Sequence, residues 1–159
     1  MRAIMTTSFH RGLSATLGVV LAGAALAGCG GSSSSELNRS QIVAKANAIC
    51  AATVAAGKKV PQPSNIQDAV AAARYFDAAV PIVAKGVSQL GALKPDSSVS
   101  ADYNAYTSAL KASLVQLQKI QHKADAHDPS GLQDLQNFTT YSQQVNAAAI
   151  KLGAKTCGQ

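Results

Sequence analysis

The chain has 159 residues, with fourteen Lys or Arg against eight Asp or Glu, no Trp and three Cys. That length allows one domain with a real but modest core. No dense Lys/Arg block and no interleaving of basic and aromatic residues marks a nucleic-acid surface, so nucleic acid is not an expected partner.

The first segment carries Arg2 and Arg11, then an apolar stretch from Leu13 to Ala27. A positive n-region, a short apolar h-region and small residues at its end form the layout of a secretory signal. The stretch holds roughly 15 residues, short of the ~20 that cross a bilayer. It closes on Leu26-Ala27-Gly28-Cys29, which resembles the lipobox of bacterial lipoproteins. The resemblance implies that residues 1–28 are a signal peptide and that the Cys29 thiol is alkylated with diacylglycerol. It implies a location on the extracytoplasmic face of the cell membrane, held there by the lipid on Cys29. The competing reading is an ordinary secretory signal with a chance cysteine. Arg2 and Arg11 leave with the signal, so twelve basic residues then face eight acidic ones, an excess of four.

Residues 29–37 read as a lipidated tether, because Gly30-Gly31-Ser32-Ser33-Ser34-Ser35 offers no apolar surface to bury. Residues 38–159 read as a helical domain. Helix one is expected from about Arg39 to Ala56, with Asn38 and Gln41 as a capping box and Gly57 as its stop. Ile42, Val43, Ala46, Ile49, Cys50 and Val54 share one face. Lys58 to Pro63 reads as a stiff loop, and Ser64 with Gln67 as a second capping box opening helix two. Val70, Ala73, Phe76, Val80, Val83, Val87 and Leu90 continue the stripe that Ile66 begins. Pro81 interrupts it, which predicts a kink and not a break.

Lys94 to Ser97 makes the next turn, with Ser98 as cap for helix three. Tyr103, Tyr106, Leu110, Leu114, Leu117 and Ile120 line its apolar face. Asp128-Pro129 starts helix four, which runs through Leu132, Leu135, Phe138, Val145, Ala149 and Leu152 to a stop at Gly153. Nothing alternates with period two over a useful length. The expected fold class is all-α, an antiparallel four-helix bundle.

Once Cys29 carries lipid, Cys50 and Cys157 remain as an even pair in an oxidising compartment, which reads as a disulfide between helix one and the C-terminal tail. In an up-down-up-down order, helix four ends where helix one begins. Cys50 reaches Cys157 there only if short helix one occupies that part of the bundle, so Lys58–Ser64 is expected to stretch along the longer helix two. The Ala46-Asn47-Ala48-Ile49-Cys50 segment and Cys157-Gly158 resemble elements of actinobacterial exported lipoproteins with Ala-rich helical domains. That resemblance implies the bundle and the disulfide and brings no function with it.

Three constellations are candidates for chemistry. His122, Asp125, His127 and Asp128 are types that suit a divalent metal at the turn between helices three and four. His127 lies about 140° from Asp125 on an ideal helix, so a solvated helix end competes with the metal reading. Tyr103 and Tyr106, on the apolar stripe, serve either as core packing or as anchors for a small hydrophobic ligand or haem-like cofactor. Lys58, Lys59 and Lys123, with the two histidines, are expected to gather at the end of the bundle far from the tether, facing an anionic envelope component or a protein partner. The single Glu is Glu36, no serine sits in a nucleophile elbow, and no Gly-rich phosphate loop follows a strand. The sequence therefore reads as a non-catalytic, lipid-anchored envelope protein with a binding or structural role, requiring no cofactor. A carrier of a hydrophobic ligand and a metal-binding module are the alternatives.

Overall fold

The computed structural model describes residues 35–158; the signal segment, Cys29 and the Gly/Ser run to Ser34 lie outside them. The described residues form four α-helices and a short terminal 3-10 turn: α1 Arg39–Gly57, α2 Ala69–Gly91, α3 Ser100–Asp125, α4 Ser130–Leu152 and η1 Lys155–Gly158. Among them there is no β-strand, only a single parallel bridge of Leu37 to Pro95. No helix among them is long and apolar enough to cross a membrane.

Four helix termini meet at the end where the chain enters. Leu37 N–H donates to the Lys94 carbonyl at 2.7 Å and its own carbonyl accepts from Asp96 N–H at 2.9 Å, so the entry is laid against the α2–α3 turn. Leu37 is thus part of the domain and not of the tether. Arg39 donates to the Leu152 carbonyl and pairs with Asp102 at 2.7 Å, and Lys151 reaches the same carboxylate at 3.2 Å. One aspartate on α3 therefore ties the start of α1 to the end of α4, in the antiparallel order expected.

Local signals decide the boundaries unevenly. The Asn38/Gln41 capping box forms in full. Gly57 does not end α1 with a left-handed residue; the chain leaves through a turn at Lys58–Val60. Helix α2 starts at Ala69 and not at Ser64, because the Asp68 carboxylate accepts from both Val70 and Ala71 N–H. Ser98 does not cap α3; its own N–H and hydroxyl donate to Asp96 Oδ1. At α4 the expected cap is displaced by one residue: Pro129 stands at the N-cap and no side chain caps the helix, while Asp128, one residue further out, accepts from Ser130 N–H at 2.9 Å. Gly153 closes α4 at φ 95°, and Ala154 N–H bonds to the Ala149 carbonyl in a Schellman motif. Helix α2 continues through Pro81, whose ring is exposed.

The core divides in two along the bundle. At the entry end, Ile42 and Ala46 of α1 pack with Leu90, Tyr103, Tyr106, Val145, Ala149 and Leu152, so all four helices contribute. At the far end, Ala72, Phe76, Val80 and Ile120 pack with Ile66, Leu135 and Phe138, without α1. The crossing of α1 on α2 explains this. Thr53 lies against Gly86, where an added Cβ would stand 2.5 Å from Thr53 Oγ1. Helix α1 ends one turn later, while α2 has seventeen residues before Gly86, about 26 Å of helix. Lys58–Asp68 has to cover most of that length. Of the Lys58–Ser64 segment expected to stretch, Lys58–Val60 is instead a turn, and Pro61–Pro63 follows without regular structure. Ile66 then returns to the core. Val70 and Leu132, expected inside, are 49% and 37% exposed at this three-helix end.

Cys50 and Cys157 are bonded, with Cα atoms 5.3 Å apart and a sequence separation of 107. Fully buried Ala46 lets the tail approach, and its carbonyl lies 3.4 Å from Cys157 Sγ. That sulfur has no hydrogen, so this is a packing contact and not a hydrogen bond.

Candidate functional site

The site that the fold builds is a cleft at the end of the bundle opposite the chain entry. It has a volume of about 130 Å³. Its floor is Ala72 and Phe76 of α2, Ile120 and Ala124 of α3 and Leu135 of α4. Ile66 closes one side and Leu132 the other, while Gln67, His127 and Asp128 bring the polar atoms. Small residues leave the space: Ala69, Ala72 and Ala124 stop at Cβ where a leucine would fill it. Gly131, also in the lining, lets α4 approach α3 closely, because a Cβ there would stand 3.2 Å from Lys123 Cβ.

His127 shapes the rim. Its φ of 54° is a left-handed conformation that non-glycine residues seldom adopt. His127 N–H bonds to the Ala124 carbonyl and Asp128 N–H to the Lys123 carbonyl, which closes α3 as Gly153 closes α4. A tight closure is needed there because Pro129 and α4 follow at once. The bonds from Ser130 to Asp128, backbone first, hold the Asp128 carboxyl below its ordinary range.

The residues expected to hold a metal are not drawn together. Among the described residues, no group of three His, Cys, Asp or Glu side chains could hold a metal ion. His122, Asp125 and His127 are all exposed. His127 points the chain into α4 and does not converge with the other two.

The tyrosines are core residues. Tyr106 is fully buried, and Tyr103 is 3% exposed with its hydroxyl donating to the Leu90 carbonyl. Burial raises the pKa of both phenols, Tyr106 to about 12. The Tyr106 hydroxyl sits 3.4 Å from Cys50 Sγ. A disulfide sulfur can only accept, so Tyr106 is the donor. Tyr106 also borders a shallower cleft of about 120 Å³ over the disulfide, shared with Thr53, Val83 and Leu110. Both clefts are smaller than the ~300–1,000 Å³ of pockets that enclose drug-sized ligands.

The basic residues are dispersed. Lys123 is bound to Asp134 across the α3–α4 turn at 2.6 Å. Lys58 and Lys59 are exposed at the end of α1, which the Thr53–Gly86 crossing sets beside the middle of α2. They do not meet His122, Lys123 and His127 at the far end, because α1 stops short of it. The cleft itself was missed in the sequence, where Ala69, Ala72 and Ala124 read only as helix formers. Its one available signal was the shortness of helix one beside two helices of greater length.

Compared with known protein families, curated proteins and solved structures, the chain matches none.

Proposed function

We propose that this chain is a lipid-anchored, extracytoplasmic helical bundle with a binding role in the cell envelope and no catalytic activity. The observation that carries the reading is the pairing of Cys50 with Cys157. It accounts for two of the three cysteines and leaves Cys29, in its Leu-Ala-Gly-Cys setting, for the lipid. A disulfide closing so long a loop also suits an oxidising compartment. The arrangement of the domain supports binding over a purely structural part. The chain enters at one end, at Leu37, and the apolar cleft opens at the other, so an anchored domain would present the cleft away from its anchor.

The test is Cys29→Ala. It should abolish metabolic labelling with palmitate and shift the protein from the detergent phase to the aqueous phase, because no described helix offers a second anchor. Continued partitioning of the variant into detergent would overturn the lipid assignment.

A further inference from the structure

The two sulfurs of the disulfide have unlike neighbours. Cys50 and Cys157 are each half-buried and line the shallower cleft of about 120 Å³, so the bond is open to a small reagent. The Tyr106 hydroxyl donates to Cys50 Sγ at 3.4 Å. Tyr106 is fully buried in the entry-end core, which fixes the donor where it stands. Burial, and then the neighbouring Tyr103, push its pKa up to about 12, so the proton stays on the oxygen where thiols ionise. Cys157 has the opposite surroundings. Its sulfur lies 3.4 Å from the Ala46 carbonyl oxygen, an acceptor that opposes negative charge there.

We infer that the Cys50–Cys157 bond is a one-sided exchange site for a low-molecular-weight thiol, which is captured on Cys157 while Cys50 departs as the thiolate. The incoming thiolate attacks Cys157 Sγ. The bond between the two cysteines breaks, its electron pair goes to Cys50 Sγ, and a mixed disulfide remains on Cys157. One thiolate is consumed and one is formed, so the step requires no further oxidant or reductant. Exchange is faster when the departing sulfur is the better thiolate. A hydrogen bond strengthens when its acceptor becomes charged, so Tyr106 favours the loss of Cys50. Departure of Cys157 would instead place charge against the Ala46 carbonyl. After the step Asn47 still accepts the Thr156 N–H, which keeps Cys157 beside α1. Cys50 can then return to Cys157 and expel the captured thiol, so the modification is reversible. This inference goes beyond the binding role and stands on the disulfide, not on the lipid anchor.

The experiment is a brief exposure of the folded full chain carrying Cys29→Ala, in which Cys50 and Cys157 are the remaining cysteines, to excess mercaptoethanol at mildly alkaline pH. N-ethylmaleimide then stops the exchange and marks the freed thiol, and non-reducing peptide mapping reads both cysteines. At early times mercaptoethanol should be on Cys157 and maleimide on Cys50, roughly tenfold over the reverse, the ratio expected from one hydrogen bond to a charged group. Tyr106→Phe keeps the ring in the core and removes the donor. It should slow capture on Cys157 roughly tenfold and reduce the preference by the same factor. Mere loosening of the core would speed exchange at both sulfurs, so the sign of the change separates the two effects. Should that variant fail to fold, the map of the chain with Tyr106 in place decides alone. Equal or greater capture on Cys50, no capture by the folded chain, or an unchanged rate and ratio in Tyr106→Phe overturns the inference. None of these results bears on palmitate labelling at Cys29, so the failure of the exchange site and the failure of the anchor are told apart.

Discussion

Asn47 Oδ1 accepts the backbone N–H of Thr156 at 3.0 Å, and the next residue of the tail is bonded to Cys50, one turn further along α1. The Ala46–Cys50 segment thus holds the tail three ways: Ala46 makes room, Asn47 caps η1 and Cys50 supplies the covalent bond. Asn47→Ala should cost about 0.5–1.5 kcal/mol, the net value of one such bond. It should also speed hydrogen exchange at the Thr156 amide while the disulfide keeps the tail in place. Unchanged exchange there would mean the bond is not made in solution.

Phe76 is 5% exposed within the three-helix half of the core, and Lys85 is exposed on the same helix. Phe76→Ala should lower stability by about 3–5 kcal/mol in urea melts. Lys85→Ala should stay within about 0.5 kcal/mol. Equal effects would contradict the face that α2 turns inward.

Much of the fold was legible because helix ends and stripes are local. Asn38 with Gln41 and the left-handed Gly153 behave as their types dictate. Competing local signals were harder to rank. Ser64 and Gln67 have the spacing of a cap, but Asp68 satisfies two N–H groups at once and α2 begins there. The site was not legible, because it depends on where helices lie beside each other. Val70 and Leu132 belong to the apolar stripes but are exposed, since α1 does not reach their end. Lys123 counts as a free cation in the sequence, yet the turn into α4 delivers Asp134 to it.

Asp102 links α1, α3 and α4, and its pKa lies below the ordinary 3.8, first through its bond from Arg39 and then through that from Lys151. A carboxylate with a lowered folded-state pKa adds stability above its unfolded pKa and loses it as pH falls through the folded value. Acid unfolding should therefore be less steep below pH 3.8 in Asp102→Asn than in the parent chain. Parallel stability curves for the two proteins between pH 2 and 5 would remove the linkage.

Gly86 and Gly91 are both in α2 and should answer alanine with opposite signs. At Gly91 an added Cβ meets nothing within 4 Å, so Gly91→Ala should gain about 0.5–1 kcal/mol by restricting the unfolded chain. At Gly86 the same atom would stand 2.5 Å from Thr53 Oγ1 and 3.2 Å from Thr53 Cγ2. Thr53 cannot turn aside cheaply, since it is β-branched and its hydroxyl donates to the Ile49 carbonyl at 2.9 Å. Overpacking of this kind costs about 1–3 kcal/mol, which outweighs the ~1 kcal/mol that alanine gains in helix propensity. Gly86→Ala should therefore destabilise, and Thr53→Ala in the same chain should restore most of the loss. If Gly86→Ala instead stabilises as Gly91→Ala does, α1 does not cross α2 at that height. The short α1, the long path of Lys58–Asp68 and the three-helix end that opens the cleft would then all need a different origin.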